Sequence, residues 1–189
     1  MFASVPTRTY VLFGALLVAL QALALYLFGQ PLIAASGIIQ LWAGDPLSPG
    51  NSQHLTDWYT LSHIVHGFIF YWLLGKFFPR LPLGARLFLA VGIEAGWEVL
   101  ENTPWLIEHY RQQALAVGYV GDSIINSVSD SLFMLVGFAA ARFLPVWASV
   151  VAVFGLEALP LYFIRDSLVL NVINLLHQFD FITKWQSDG

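Results

Sequence analysis

The chain has 189 residues, of which 58% are hydrophobic and 11% charged, with a mean hydropathy of +0.69; a water-soluble domain carries about a quarter charged residues, so the composition is that of an integral membrane protein. Without cysteine there is no disulfide framework, thiolate metal site or cysteine nucleophile, and any metal would sit on oxygen and imidazole. A formal charge of -4 and the lack of a basic cluster argue against nucleic acid as a partner.

Apolar runs long enough to cross a bilayer occur five times in chain order, predicting an all-α membrane bundle that is one domain over residues 1–189. The first, residues 10–28, lacks a small-residue cleavage motif and reads as a retained helix. Next comes "PLIAASGIIQLW" (31–42), too short and too flanked by Gly and Pro to span, and expected at the interface. The second span is 58–78, the third 83–105, the fourth 123–144 and the fifth 146–164. Turn chemistry separates them in "GDPLSPGNS", "FPRLPLG" and "LP". A second interfacial segment, 167–177, places Asn171, Asn174 and His177 on a polar side.

Orientation follows from the basic residues. Arg8, Lys76, Arg80, Arg86 and Arg142 all fall on one side of a five-span model, and the positive-inside rule makes that side, and the N-terminus, cytoplasmic. Acidic residues avoid those segments. The outer halves of the spans then carry the ionisable groups: His54, Asp57, His63 and His66 with the second; Glu94, Glu98 and Glu101 with the third; Asp122, Asn126 and Asp130 with the fourth; Arg165 and Asp166 at the end of the fifth.

Three motifs carry the chemistry. In "IEAGWEVLEN" (93–102), Glu94, Glu98 and Glu101 fall within roughly 60° on a helix, either lining a polar cavity or dipping into water at a helix end. Ala95 and Gly96 beside them would allow close helix approach. "HIVH" puts His63 and His66 one turn apart, suited to chelation or to hydrogen bonding between helices. "GDSIINSVSD" spaces Asp122, Asn126 and Asp130 four residues apart, with Asp122 where an N-cap belongs. A charged side chain at mid-membrane costs about 2.5 to 3.5 kcal/mol on insertion scales, so these residues must face a cavity, pair, or serve function. Like charges on one stripe must hold protons, hold a cation, or use a basic partner; Arg165 at the outward end of the fifth span is the expected counter-charge. Mixed imidazole and carboxylate ligands suit zinc, manganese or non-haem iron, whereas oxygen alone would favour calcium or magnesium.

The runs "QHLTDWYTLSHIVHGFIFYWLL", "IEAGWEVLENTPWLIEHYR", "GYVGDSIINSVSDSLFMLVGFAAARFLPVW" and "YFIRDSLVLNVINLLH" together resemble an uncharacterised family of bacterial inner-membrane proteins about this long, over residues 50–178. The resemblance implies a multi-pass inner-membrane location and a motif set, with no established reaction. The order of a His motif, a Glu-rich helix and a final Asp, Asn, Asp, Gly helix also resembles, more loosely, VanZ-like membrane proteins, which are associated with glycopeptide resistance. Three functional classes stay open. One is an enzyme acting on a lipid or lipid-linked envelope molecule, with His63, His66, Glu94, Glu98 and Asp130 holding a metal and a spare carboxylate among Glu94, Glu98 and Asp130 as acid or base. The others are a cation- or proton-binding transport module and a non-catalytic accessory subunit whose polar cluster is structural.

Overall fold

The structure is a computed structural model and describes residues 5–188. Among them eight helices form: α1 (Thr7–Leu27), α2 (Thr60–Phe77), α3 (Leu83–Glu101), α4 (Pro104–Tyr110), α5 (Ile124–Phe143), α6 (Val146–Ile164), α7 (Leu168–Leu176) and α8 (Asp180–Ser187). The expected all-helical architecture is what forms. Three helical stretches, Arg8–Leu27, Ile124–Phe143 and Val146–Ile164, are long and apolar enough to cross a membrane. Helices α2, with His63 and His66, and α3, with Glu94, Glu98 and Glu101, are not among the three.

Helix ends follow local chemistry. Proline precedes α1, α3 and α6 with its backbone extended, so the missing N–H falls where a helix has no use for it. Asp57 holds the start of α2, its carboxylate accepting from the N–H groups of Tyr59 and Thr60. Ser123 caps α5, and the carbonyls of Pro31 and Leu32 take the next two N–H groups, of Ile124 and Ile125. The α6 helix ends with Arg165 in the left-handed region at φ 56°, a conformation glycine usually fills.

Several expectations need correction. The third span is not one helix over 83–105: α3 stops at Glu101, because Thr103 caps a separate short helix whose first residue, Pro104, cannot donate back into α3. The segment 31–42, expected not to span, is irregular, and its Pro31 and Leu32 carbonyls accept from the first N–H groups of α5. As the 58–78 bounds imply, His54 and Asp57 precede α2 and lie on the loop that leads into it. Ser123, not Asp122, is the N-cap of α5. A Cβ on Gly96 would meet nothing within 4 Å, so this glycine mediates no close helix approach. The close approach is between α2 and α5, where a Cβ on Gly67 would come within 2.2 Å of the Met134 carbonyl and one on Gly137 within 2.0 Å of the Ile64 carbonyl.

The bundle is divided lengthwise. One half is an apolar core of Leu74, Ala90, Val91, Met134 and Phe138, with Leu17, Val18, Phe70 and Tyr71 packed against it. The other half buries Gln21, His63, Glu94, Glu98, Asn102, Asn126, Ser127 and Asp130. The loops 28–59 and 102–123 and the tail from Arg165 close over this polar half, joined by Ser123 N–H to the Ser52 carbonyl and by Tyr59 OH to Asp166. The outer faces of α1 and α6 present Leu12, Leu16, Leu20, Val150, Val151 and Phe154 to the surroundings.

Candidate functional site

Helix α2 turns His63 and His66 onto one face, and α3 sets Glu94 and Glu98 one turn apart opposite them. His63 Nδ1 meets Glu94 Oε1 at 2.6 Å and lies 3.3 Å from Glu98 Oε1. His66 Nδ1 reaches the other Glu94 oxygen at 3.1 Å. Glu94, at 0% exposure, therefore bridges two imidazoles with its two oxygens. On the far edge of the His63 ring, Nε2 lies 3.9 Å from Asp130 Oδ2, which α5 supplies. Ligand atoms of His63, His66 and Glu94 fall within 4.8 Å of one another, as do those of His63, Glu98 and Glu101, so two overlapping donor sets share His63.

The charge balance of this cluster is unusual. Glu98 Oε1 and Asp130 Oδ1 are buried without a hydrogen-bond partner. Among the described residues, the ion pair that involves a guanidinium is Arg111 with Glu108, both substantially exposed. Among those residues no Lys or Arg side chain joins the buried cluster.

Beside it opens a cavity of about 80 Å³, room for several waters, walled in part by His63, His66, Glu101, Asp122, Asn126, Asp130 and Asp166. Glu94 and Glu98 stand behind His63 and do not line it. His54, Asp57 and Arg165 also lie off its wall. The backbone N–H of Gln40 donates to His54 Nδ1, and Asn126 Nδ2 donates to the His54 carbonyl, so His54 and Asn126 tie the loop to α5. Asp57 accepts from Ser52, Tyr59 and Thr60 N–H groups; its burial raises its carboxyl above the ordinary range while these three bonds pull the other way.

Asp122 is held by Asn102 Nδ2 at 2.6 Å and by the Tyr119 hydroxyl at 2.8 Å, and burial pushes its carboxyl up to about 6 against those bonds. Burial likewise pushes Asp166 up to about 7, although Ser167 N–H, Tyr59 OH and Gln186 Nε2 donate to it. Buried beside carboxylates, the phenols of Tyr110 and Tyr119 stay firmly protonated.

Arg165 is not the counter-charge. Its guanidinium donates to the Trp185 carbonyl at 2.7 Å and lies 5.7 Å above the Trp185 ring, because α8 docks beside it and offers that partner. Other contributors were not anticipated. Gln21 of α1 donates to the Ser127 carbonyl and hydroxyl and accepts from Ser131, clasping α1 to α5 below the cluster. Glu157 of α6 accepts from Leu168 and Val169 N–H groups and anchors α7. A lone polar residue inside an apolar run was the available signal for both. Nothing in the local sequence marked Asn102, Gln113 or Tyr119, which sit in loops.

The chain matches the model of a protein family of unknown function, DUF2585, over residues 25–188, further than the 50–178 of the sequence resemblance. It is 50% identical to a UPF0314 protein of Brucella anthropi, covering 98% of this chain and 96% of the relative. A UPF0314 protein of Sphingopyxis alaskensis is 45% identical over 97% of both chains, and one of Paracoccus denitrificans is 46% identical over 91% and 89%. No solved structure matches the chain. With a family model covering most of its length and relatives near half identity end to end, the chain belongs to the uncharacterised DUF2585 (UPF0314) family, whose helical scaffold here encloses a buried His/Glu cluster.

Proposed function

We propose that the chain is a multi-pass inner-membrane protein whose His63, His66 and Glu94 hold a divalent metal beside an outward-facing cavity, for chemistry on the head group of a lipid or lipid-linked envelope molecule. In this reading α1, α2, α3, α5 and α6 all cross the membrane and the N-terminus is cytoplasmic. One observation carries the metal: two imidazoles and a cluster of carboxylates converge in a buried site that, among the described residues, no Lys or Arg neutralises, and Glu98 Oε1 there accepts no hydrogen bond, with His63 Nδ1 at 3.3 Å as its ionic neighbour. Two His and one carboxylate suit zinc, manganese or non-haem iron. Such an ion supplies Lewis acidity.

The residues around it have separate parts. Glu98 stands 3.3 Å from His63 Nδ1 and completes the donor set or orients His63. Asp130 lies outside both donor sets, on the cavity wall, and is the group placed to accept or return a proton there. The cavity meets the cluster at His63 and His66, so a head group bound in it would lie next to the cluster.

A specific observation favours a second reading. The 2.6 Å between His63 Nδ1 and Glu94 Oε1 is a hydrogen-bond distance, whereas donors on one zinc, each about 2.0 to 2.2 Å from it, stand roughly 3 Å or more apart. With a proton in place of the metal, the cluster would serve proton or cation binding. Elemental analysis of detergent-purified protein, exposed to zinc, manganese and iron and then desalted, separates the two. The metal reading expects close to one equivalent in the wild type and loss of it in His63→Ala and Glu94→Gln; a wild type that retains no metal under any of these conditions overturns it.

A further inference from the structure

Helix α3 lays three glutamates on one stripe, and the donor set of His63, His66 and Glu94 uses only the first of them. Glu98 and Glu101 follow, so the stripe from Glu94 to Glu101 runs about 10 Å along the helix axis. With His63 these two make the other donor set, in which a ligand atom of each residue lies within 4.8 Å of the other two. Glu98 is 1% exposed and its Oε1 accepts no hydrogen bond. Burying a carboxylate oxygen without a donor is costly, and a cation coordinated by it removes that cost. Glu101 supplies the way in, since it stands with His63 on the cavity wall while Glu98 stands behind.

The two sets differ in chemistry. Two imidazoles with one carboxylate favour a borderline ion such as zinc, whereas one imidazole with two carboxylates favours a harder one, such as manganese or magnesium, which prefers oxygen. They also compete. His63 Nδ1 faces Glu94 Oε1 at 2.6 Å and Glu98 Oε1 at 3.3 Å, and one nitrogen lone pair binds one ion. We propose that His63, Glu98 and Glu101 form a second seat for a hard divalent cation, reached from the cavity through Glu101 and filled in alternation with the seat on His63, His66 and Glu94. This rests on the reading of the cluster as a metal centre, and it gives a part to the two glutamates of the stripe that the first seat does not need.

The test uses full-length protein in detergent, stripped with a chelator and titrated at equilibrium without desalting, because an ion at the cavity wall exchanges with solvent. Bound manganese is read from loss of the aqueous Mn²⁺ electron paramagnetic resonance signal, and bound zinc by competition with a chromophoric chelator. The wild type is expected to bind one manganese ion, which zinc displaces. Glu101→Gln should raise the manganese dissociation constant about tenfold or more and leave that of zinc within about twofold. His66→Ala should do the reverse. Should Glu101→Gln aggregate on gel filtration, Glu101→Asp, which shortens the reach of the carboxylate, replaces it with the same expectation. The proposal is overturned if manganese does not bind, if the Glu101 variant binds it like the wild type, if either variant, once shown to be monodisperse, weakens the two ions alike, or if zinc and manganese bind without competing. The two readings also separate. Zinc binding that needs His66, without manganese binding that needs Glu101, sinks this proposal alone; manganese binding that needs Glu101, with neither ion affected in His66→Ala, sinks the seat on His63, His66 and Glu94 alone.

Discussion

Asp166 concentrates the cost of burying acids in this fold. It is 3% exposed, accepts from Tyr59 OH, Ser167 N–H and Gln186 Nε2, and still holds its proton up to about 7 because burial disfavours the carboxylate more than those donors favour it. The sign of the linkage follows. An unfolded chain releases this proton near the ordinary carboxyl value while the folded one keeps it, so between about pH 4 and 7 the native state binds more protons and stability falls as pH rises. Asp122, raised to about 6, adds in the same direction. Melting temperature should therefore decline from pH 5 to pH 8, and Asp166→Asn should flatten that decline by a few degrees, most visibly at pH 8. A steeper decline in the variant would contradict the assignment. Arg165 makes the opposite case at the same scale: with its guanidinium on an exposed carbonyl rather than a buried acid, Arg165→Ala should melt within a degree or two of Arg111→Ala at pH 7. A loss of more than about 5 °C relative to Arg111→Ala would show that Arg165 carries a buried charge after all.

Between elements, the crossing of α2 and α5 governs whether the site assembles, because His63 of α2 comes within 3.9 Å of Asp130 of α5 only when these helices sit backbone to backbone. A Cβ at Gly67 or Gly137 would stand 2.0 to 3.1 Å from backbone atoms of the facing helix, and backbone cannot swing aside as a side-chain tip can. Gly67→Ala or Gly137→Ala should lower the melting temperature by roughly 5 to 10 °C, whereas Gly96→Ala, with open space at its Cβ, should leave it unchanged or slightly raised through better helix propensity. Equal effects at the three sites would refute this packing. What the sequence disclosed divides along the same line. Spacing along single helices was readable, so His63 with His66 and Glu94 with Glu98 emerged as faces, and the alternation of spans brought them to one level. The Thr103–Pro104 break was legible in principle but hidden in the apolar run of "TPWLI". Partners set by tertiary docking were not readable: Asn102 with Asp122, and Arg165 with Trp185, depend on how loops and α8 fold back, which no local pattern encodes.

At the scale of the whole molecule the charge distribution is bipolar along the bundle. Arg8 begins α1, Lys76 ends α2, Arg80 lies in the connection to α3, Arg86 is in the first turn of α3 and Arg142 is in the last turn of α5, so one end of the bundle is basic. At the other end lie the cavity, Asp57, Glu101, Asp122 and Asp166. The 18 residues of α2 and 19 of α3 reach about 27 and 28 Å, close to the roughly 30 Å hydrocarbon layer, so both are long enough to cross beside α1, α5 and α6. Their ionisable groups do not forbid this, because Glu94, Glu98 and His63 face into the bundle at 0%, 1% and 6% exposure and present no charge to lipid. Under the five-span reading, the positive-inside rule sets the basic end in the cytoplasm and opens the cavity outward. With no native cysteine, single cysteines can be placed and labelled in intact cells with a membrane-impermeant maleimide without background. Cysteines at Asn51 and Gln112 should react from outside and one at Arg80 only after the membrane is opened. Should α2 and α3 instead stay on one side as a hairpin, positions 51, 80 and 112 would share a side, and all three would label together or not at all. Labelling of position 80 alone from outside would invert the molecule, turn the cavity toward the cytoplasm, and remove envelope molecules from the substrates the site can reach.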